Sequence, residues 1–160
     1  MPRISDWQIV KRPSVPSLSI TSTVALKDLN KEIRSQKEKL SQYLNAQHIY
    51  PADHFYVRYH SFSKTSVDLE AGFPLFQAVE GEALIESKEK EAGLYLTCLF
   101  QGPHKKIPPV YREMEDWLVE NHYQTNGQSE EIYLNEKVLD ELLVTQILIP
   151  ISEVVNGKRK

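Results

Sequence analysis

The sequence predicts an α+β fold built as two successive β-β-α-β-β units. Three observations carry this reading: two segments with helical periodicity, eight that alternate like half-buried strands, and recurrence of the same element order after 76 residues.

Residues 5–11 and 15–24 form the first pair of strands, the second with Leu18, Ile20, Ser22 and Val24 on one side. A helix follows. Leu26, Leu29, Ile33, Leu40, Tyr43 and Leu44 recur at spacings near three and four, with Lys31, Glu32, Lys37 and Glu38 opposite. Strands 55–62 and 67–76 complete the first unit, and Val67, Leu69, Ala71 and Phe73 give the second an apolar face. The second unit opens with strand 82–87 and strand 94–101, where Leu94, Leu96, Cys98 and Phe100 alternate with Tyr95, Thr97, Leu99 and Gln101. Gly102-Pro103 reads as a strand-to-helix turn. Ile107, Val110, Tyr111, Met114, Trp117 and Leu118 then mark a second helix, with Pro108-Pro109 in its first turn, where proline is tolerated. Its Tyr, Met and Trp are read as core. Strands 129–135 and 143–151 close the unit.

Adding 76 to a position in the first half brings Leu18, Ile20, Ser22 and Val24 onto Leu94, Leu96, Cys98 and Phe100. The same shift brings HFYVRYH at 54–60 onto EEIYLNE at 130–136, and Pro74 onto Pro150. The expectation is an internal duplication with halves at about 5–77 and 82–152, related by a pseudo-twofold axis. Each helix would cover the same face of a joined antiparallel sheet. The other face would form a groove for a ligand.

At 160 residues, and with no Gly/Ser/Pro-rich linker, the chain reads as one domain able to fold without staples. A single cysteine, Cys98, allows no internal disulfide, and its place on the apolar face makes it a buried structural thiol. The N-terminus lacks an apolar signal region and no stretch approaches a membrane span, so a cytoplasmic protein without membrane contact is expected. Nineteen basic against twenty-two acidic residues, net −3, argue against autonomous nucleic-acid binding. The basic Gly157-Lys158-Arg159-Lys160 is read as a frayed tail. His48, His54, His60, His104 and His122 are dispersed without metal-ligand spacing, so no metal site is expected. There is no G-x-S-x-G, P-loop or dinucleotide fingerprint and no cofactor is implied; Lys105 and Lys106 read as solvated charge.

The run Gly93-Leu-Tyr-Leu-Thr-Cys-Leu-Phe-Gln-Gly-Pro103, the helix ending Trp117-Leu118, Glu131-Ile-Tyr133-Leu, and Thr145-Gln-Ile-Leu-Ile-Pro150-Ile together resemble the GyrI-like domain. Val67-Asp-Leu-Glu-Ala-Gly-Phe-Pro74 resembles the matching segment of the first half, and the likeness runs from about residue 5 to 151. That family includes effector-binding domains of AraC-type and MerR-type (BmrR-like) regulators as well as standalone proteins. The resemblance implies the duplicated α+β fold and a small organic ligand in a groove. Because the first strand begins within the first ten residues, a standalone form without a helix-turn-helix region is expected. Three functions follow from the resemblance: a sensor or sequestering module, a hydrolase of electrophilic small molecules, or a protein partner of DNA gyrase.

Alternation places Glu131 and Tyr133 on one strand face, with Ile132 and Leu134 turned toward the helices. A groove carboxylate beside an aromatic ring attracts cationic rings, and with a raised pKa it can act as general base on water. The family match implies such roles for Glu131; its alternative is a solvated glutamate beside Glu130. Glu70 should face away from the core, and its counterpart Gln146 replaces a frequent family glutamate. Tyr59 joins the groove in one register, whereas Tyr56, Arg58 and His60 do so if the strand slips by one. Tyr95 completes the expected ring contacts. Charge in the groove should come mainly from the second half.

Overall fold

The computed structural model describes residues 3–155 and 158–159. In chain order the elements are β1 (Gln8–Arg12), β2 (Val15–Ala25), α1 (Leu29–Ala46), β3 (Tyr56–Phe62), β4 (Ser66–Pro74), β5 (Glu86–Lys90), β6 (Gly93–Gln101), α2 (Pro108–Glu120), β7 (Tyr123–Thr125), β8 (Ser129–Tyr133), β9 (Val144–Val155) and β10 (Lys158–Arg159). All strand pairings within the units described below are antiparallel, and the class is mixed α+β, as the periodicities predict. Among the described residues no helix is long and apolar enough to cross a membrane.

The chain packs as two compact units, a central one, Pro13–Ala92, and a terminal one comprising Met1–Arg12 and Gly93–Lys160. These units do not follow the sequence halves. The short leading strand of each half leaves its own half: β1 pairs with β6, and β5 pairs with β2. Neighbouring strands run β5-β2-β4-β3 in the central unit and β1-β6-β9-β8 in the terminal unit, where β7 and β10 also pair with β9. The uniform shift of 76 is not kept, because Ser17 pairs with Pro74 whereas Tyr95 pairs with Pro150, a displacement of two residues.

In the central unit, α1 buries Gln36, Leu40 and Leu44. Gln36 Nε2 donates to Ser22 Oγ, which identifies the even-numbered side of β2, with Leu18, Ile20 and Val24, as the α1 side. Residues directly opposite across an antiparallel pair share a face. Val67, Leu69, Ala71 and Phe73, opposite that row, therefore belong to the α1 side too. The helix stops at Gln47, and His48 turns the chain with a left-handed φ of 56°.

In the terminal unit, α2 starts on Pro108 and Pro109, whose missing N–H groups cost nothing in a first turn. It packs Val110, Met114 and Leu118, together with Ile107 before it, on Leu96, Cys98, Phe100, Ile147, Ile149 and Ile151. Each such large side chain removed from water contributes about 1.5–3 kcal/mol. Cys98 is buried there as a free thiol, and burial pushes its pKa up to about 11. The backbone of Lys158–Arg159 pairs with Val154 and Val155 rather than fraying; Gly157 and Lys160 lie outside the described residues.

Candidate functional site

Strand β8 carries adjacent glutamates to opposite faces of the terminal sheet. Glu131 lies opposite Ile147, which packs against α2, so Glu131 and Tyr133 are on the helix side. Glu130 and Ile132 lie opposite Leu148 and Gln146 on the other side. This reverses the expected parity. Ile132 is buried, but not toward the helix, so an apolar residue on this strand does not mark the α2 side.

The two glutamates meet opposite fates. Glu130 is fully buried and pairs with Arg12, whose Nη1 lies 3.1 Å from Oε2; the Arg12 guanidinium also sits 4.8 Å from the centre of the Tyr95 ring. Glu131 is only 8% exposed, and among the described residues no Lys, Arg or His nitrogen lies within ion-pair distance of it. Its partners are two phenols instead. The Tyr111 hydroxyl donates to Oε2 at 2.7 Å, and the Tyr133 hydroxyl donates to Oε1 at 2.8 Å.

A carboxylate so placed is hydrogen-bonded but not neutralised. Burial raises the Glu131 pKa above the ordinary glutamate range; the hydrogen bonds from Tyr111 and Tyr133, and then the field of His104, oppose that rise without cancelling it. In chemical terms a carboxylate in such surroundings can attract a cation or act as a base toward water.

Tyr111, His104 and Thr145 are placed by the elements next to β8. Tyr111 comes from α2, one residue after Val110, and is partly buried against the core. Its ring packs as the helical period predicts while its hydroxyl works at the sheet; the sequence signal was a tyrosine where phenylalanine would suffice for packing. His104 begins the turn before α2, with its ring centroid 4.9 Å from that of Tyr133. Thr145, opposite both Tyr133 and Phe100, is fully buried, and its Oγ1 has no hydrogen-bond partner among the described residues.

Of the other expected residues, Tyr95 belongs to the terminal unit, and Tyr59 and Glu70 belong to the central unit. Tyr95 is buried on the face away from α2, opposite Val10 and Pro150. Tyr59 is in the central unit on the α1 side, opposite Leu69 and stacked on Phe62 at 5.5 Å. Glu70 faces away from α1, as expected. There its Oε2 accepts from the Tyr56 hydroxyl at 2.7 Å, and its Oε1 lies 3.5 Å from His60 Nε2 and 3.7 Å from Lys88 Nζ. The Tyr56 hydroxyl also meets Ser17 Oγ at 3.1 Å. Glu70 is therefore a compensated carboxylate in a polar network. Among the described residues no group of three or more His, Cys, Asp or Glu side chains converges as a metal site would need.

The sequence profile of the GyrI-like small molecule binding domain matches residues 6–152. The C-terminal domain of EcmrR superimposes with a TM-score of 0.83 at 17% identity, covering 94% of this chain and 99% of that domain. In its complex with DNA, EcmrR is matched equally well, but this chain spans only 58% of that polypeptide. SAV2435 bound to tetraphenylphosphonium matches at TM-score 0.65 and 12% identity, over 91% of this chain and 93% of that one. A hydrolase encoded by lin2189 from Listeria innocua matches at TM-score 0.69 and 11% identity, over 94% of this chain and 93% of that one. No curated protein matches the chain by sequence.

Proposed function

We propose that this chain, which belongs to the GyrI-like small-molecule-binding domains, takes up an organic, preferably aromatic, cation beside Glu131 and serves as a sensor or sequestering module. The observation that carries the proposal is the buried Glu131 carboxylate held by two phenols, with no cationic side chain beside it among the described residues. A buried charge is normally paired, as Glu130 is by Arg12 a residue away. Leaving Glu131 unpaired costs stability unless a ligand supplies the charge. The Tyr133 and Tyr111 rings offer faces for an aromatic cation while their hydroxyls hold the carboxylate in place. The tetraphenylphosphonium bound by SAV2435 is of this chemical class. The common strand order of the two units also supports an origin by duplication.

The test compares tetraphenylphosphonium with its uncharged analogue triphenylphosphine oxide on the wild type and on Glu131→Gln. Binding of the cation that depends on Glu131, with little effect on the oxide, supports the reading. Equal losses for both would reject it.

The raised pKa favours a second reading, hydrolysis of an electrophilic small molecule. Glu131 would take a proton from water as it attacks, and Tyr111 or Tyr133 would hydrogen-bond the oxygen that gains charge. Turnover of strained electrophiles by the wild type but not by Glu131→Gln would favour it over binding alone.

A further inference from the structure

We propose that His104 is a wall of the Glu131 site, and that the charge carried at position 104 sets how strongly the site prefers cations to neutral ligands. The inference rests on the reading of Glu131 as a cation anchor and names a residue that reading does not require.

The backbone puts His104 there by construction. Strand β6 ends at Gln101, and Gly102 follows with φ of +139°, a conformation that L side chains rarely adopt. Its N–H donates to the Leu143 carbonyl, which ties the turn to the start of β9. Pro103 then directs the chain into the His104–Lys106 turn, closed by bonds from Lys106 N–H to the Pro103 carbonyl and from Ile107 N–H to the His104 carbonyl. Ile107 is buried and anchors the far end. His104 is thereby held over β8, although its own side chain is exposed.

Its imidazole is tilted by 47° against the Tyr133 ring, with 4.9 Å between centroids. The same Tyr133 holds Oε1 of Glu131. A ligand ring seated on that face of Tyr133, with its charge toward Glu131, must share the space with His104 or displace it. Because the imidazole is exposed, displacement breaks one ring contact and little else. A second feature marks the place: the fully buried Thr145 Oγ1, opposite Tyr133 on the same face, has no hydrogen-bond partner among the described residues. Lys105 and Lys106 beside His104 are exposed, as are Arg112 and Glu115 on α2 and Asp140 and Glu141 in the turn before β9; His104 differs from them in that its ring meets Tyr133, which itself holds Glu131.

The test is a charge series at position 104, read at about pH 8, where an ordinary imidazole is uncharged. Affinity for tetraphenylphosphonium and for triphenylphosphine oxide is measured by calorimetry on the wild type, His104→Glu, His104→Gln and His104→Lys. One charge added or removed at about 6–8 Å in a partly aqueous setting changes cation affinity roughly three- to tenfold. His104→Glu is expected to tighten the cation by that factor and His104→Lys to weaken it by as much, with the oxide nearly unchanged. His104→Gln should stay near the wild type. Thermal melts check that these exposed replacements leave the fold intact. Cation affinities that depend on Glu131 but do not move across the series would overturn the inference and leave the Glu131 reading standing. Failure of the wild type to bind the cation would overturn both.

Discussion

Replacing Glu131 with Gln keeps the shape of the side chain and removes its charge. The carboxylate now accepts one hydrogen bond on each oxygen, from Tyr111 and Tyr133. A carboxamide offers one acceptor and one donor group, so one phenol must reverse and accept. Binding loses more than this rearrangement. For a cation about 5 Å from the carboxylate, an effective dielectric constant of about 20–40 gives roughly 1.7–3.3 kcal/mol, and solvent at the mouth of the site takes the lower part of that range. Calorimetry at moderate salt should show tetraphenylphosphonium binding about 10- to 100-fold more weakly, while triphenylphosphine oxide changes less than about threefold. Stability should move the other way. A carboxyl whose pKa is raised by folding contributes stability in full below the ordinary glutamate value and loses it as pH climbs through the raised native value. Glu131→Gln has no such loss, so its melting temperature should gain on the wild type as pH rises above the ordinary glutamate range. A cation affinity unchanged in the folded variant, or a variant that loses ground to the wild type as pH rises, would refute the reasoning.

Tyr111→Phe removes a hydrogen bond that lowers the Glu131 pKa, so the pH at which cation binding reaches half its plateau should rise. Below that midpoint the expected loss is about three- to tenfold, recovered in more alkaline buffer, and an unmoved midpoint would exclude the coupling. Arg12→Ala strips the fully buried Glu130 of its guanidinium partner and should cost about 2–3 kcal/mol in urea unfolding; Glu130→Gln added to it should return part of that cost, since a neutral amide is cheaper to bury than a carboxylate that has lost its cation. Gly72→Ala places a Cβ 2.7 Å from the Leu18 carbonyl oxygen and 2.8 Å from the Tyr56 hydroxyl, so about 1–3 kcal/mol of stability should be lost as the Tyr56–Glu70 bond is displaced. Denaturant midpoints matching those of the wild type would show that this network relaxes without cost.

What was legible in the sequence was whatever one face decides. Both helices were, because Leu40 and Leu44, or Val110, Met114 and Leu118, meet a single apolar surface and repeat with its period. Strand β5 was displaced toward its C-terminus from the expected 82–87, since its sequence ESKEK carries no apolar alternation; such charge on an edge strand discourages further pairing. Strand β7, three residues long, is too short to show a period. The exchange of β1 and β5 between halves was hidden because alternation fixes which side of a strand is buried and says nothing about its neighbour. The misplaced face of β8 has a related cause. Glu130, Glu131 and Ile132 are all buried, so both sides of that strand are covered and polarity no longer distinguishes them. Only the register settles the matter, and it does so through Ile147, far along the chain on β9. Tyr111 was hidden by its own success as a core residue: a ring that satisfies the helical period masks a hydroxyl directed at a carboxylate twenty residues later. Glu131 was still identifiable because it shares a strand face with Tyr133 and stands where the GyrI-like resemblance implies a glutamate; the pairing of Glu130 with Arg12 was not legible, since the two lie far apart along the chain. The choice of Glu130 for Arg12 leaves Glu131 with two phenols, and no cationic side chain, as its partners among the described residues.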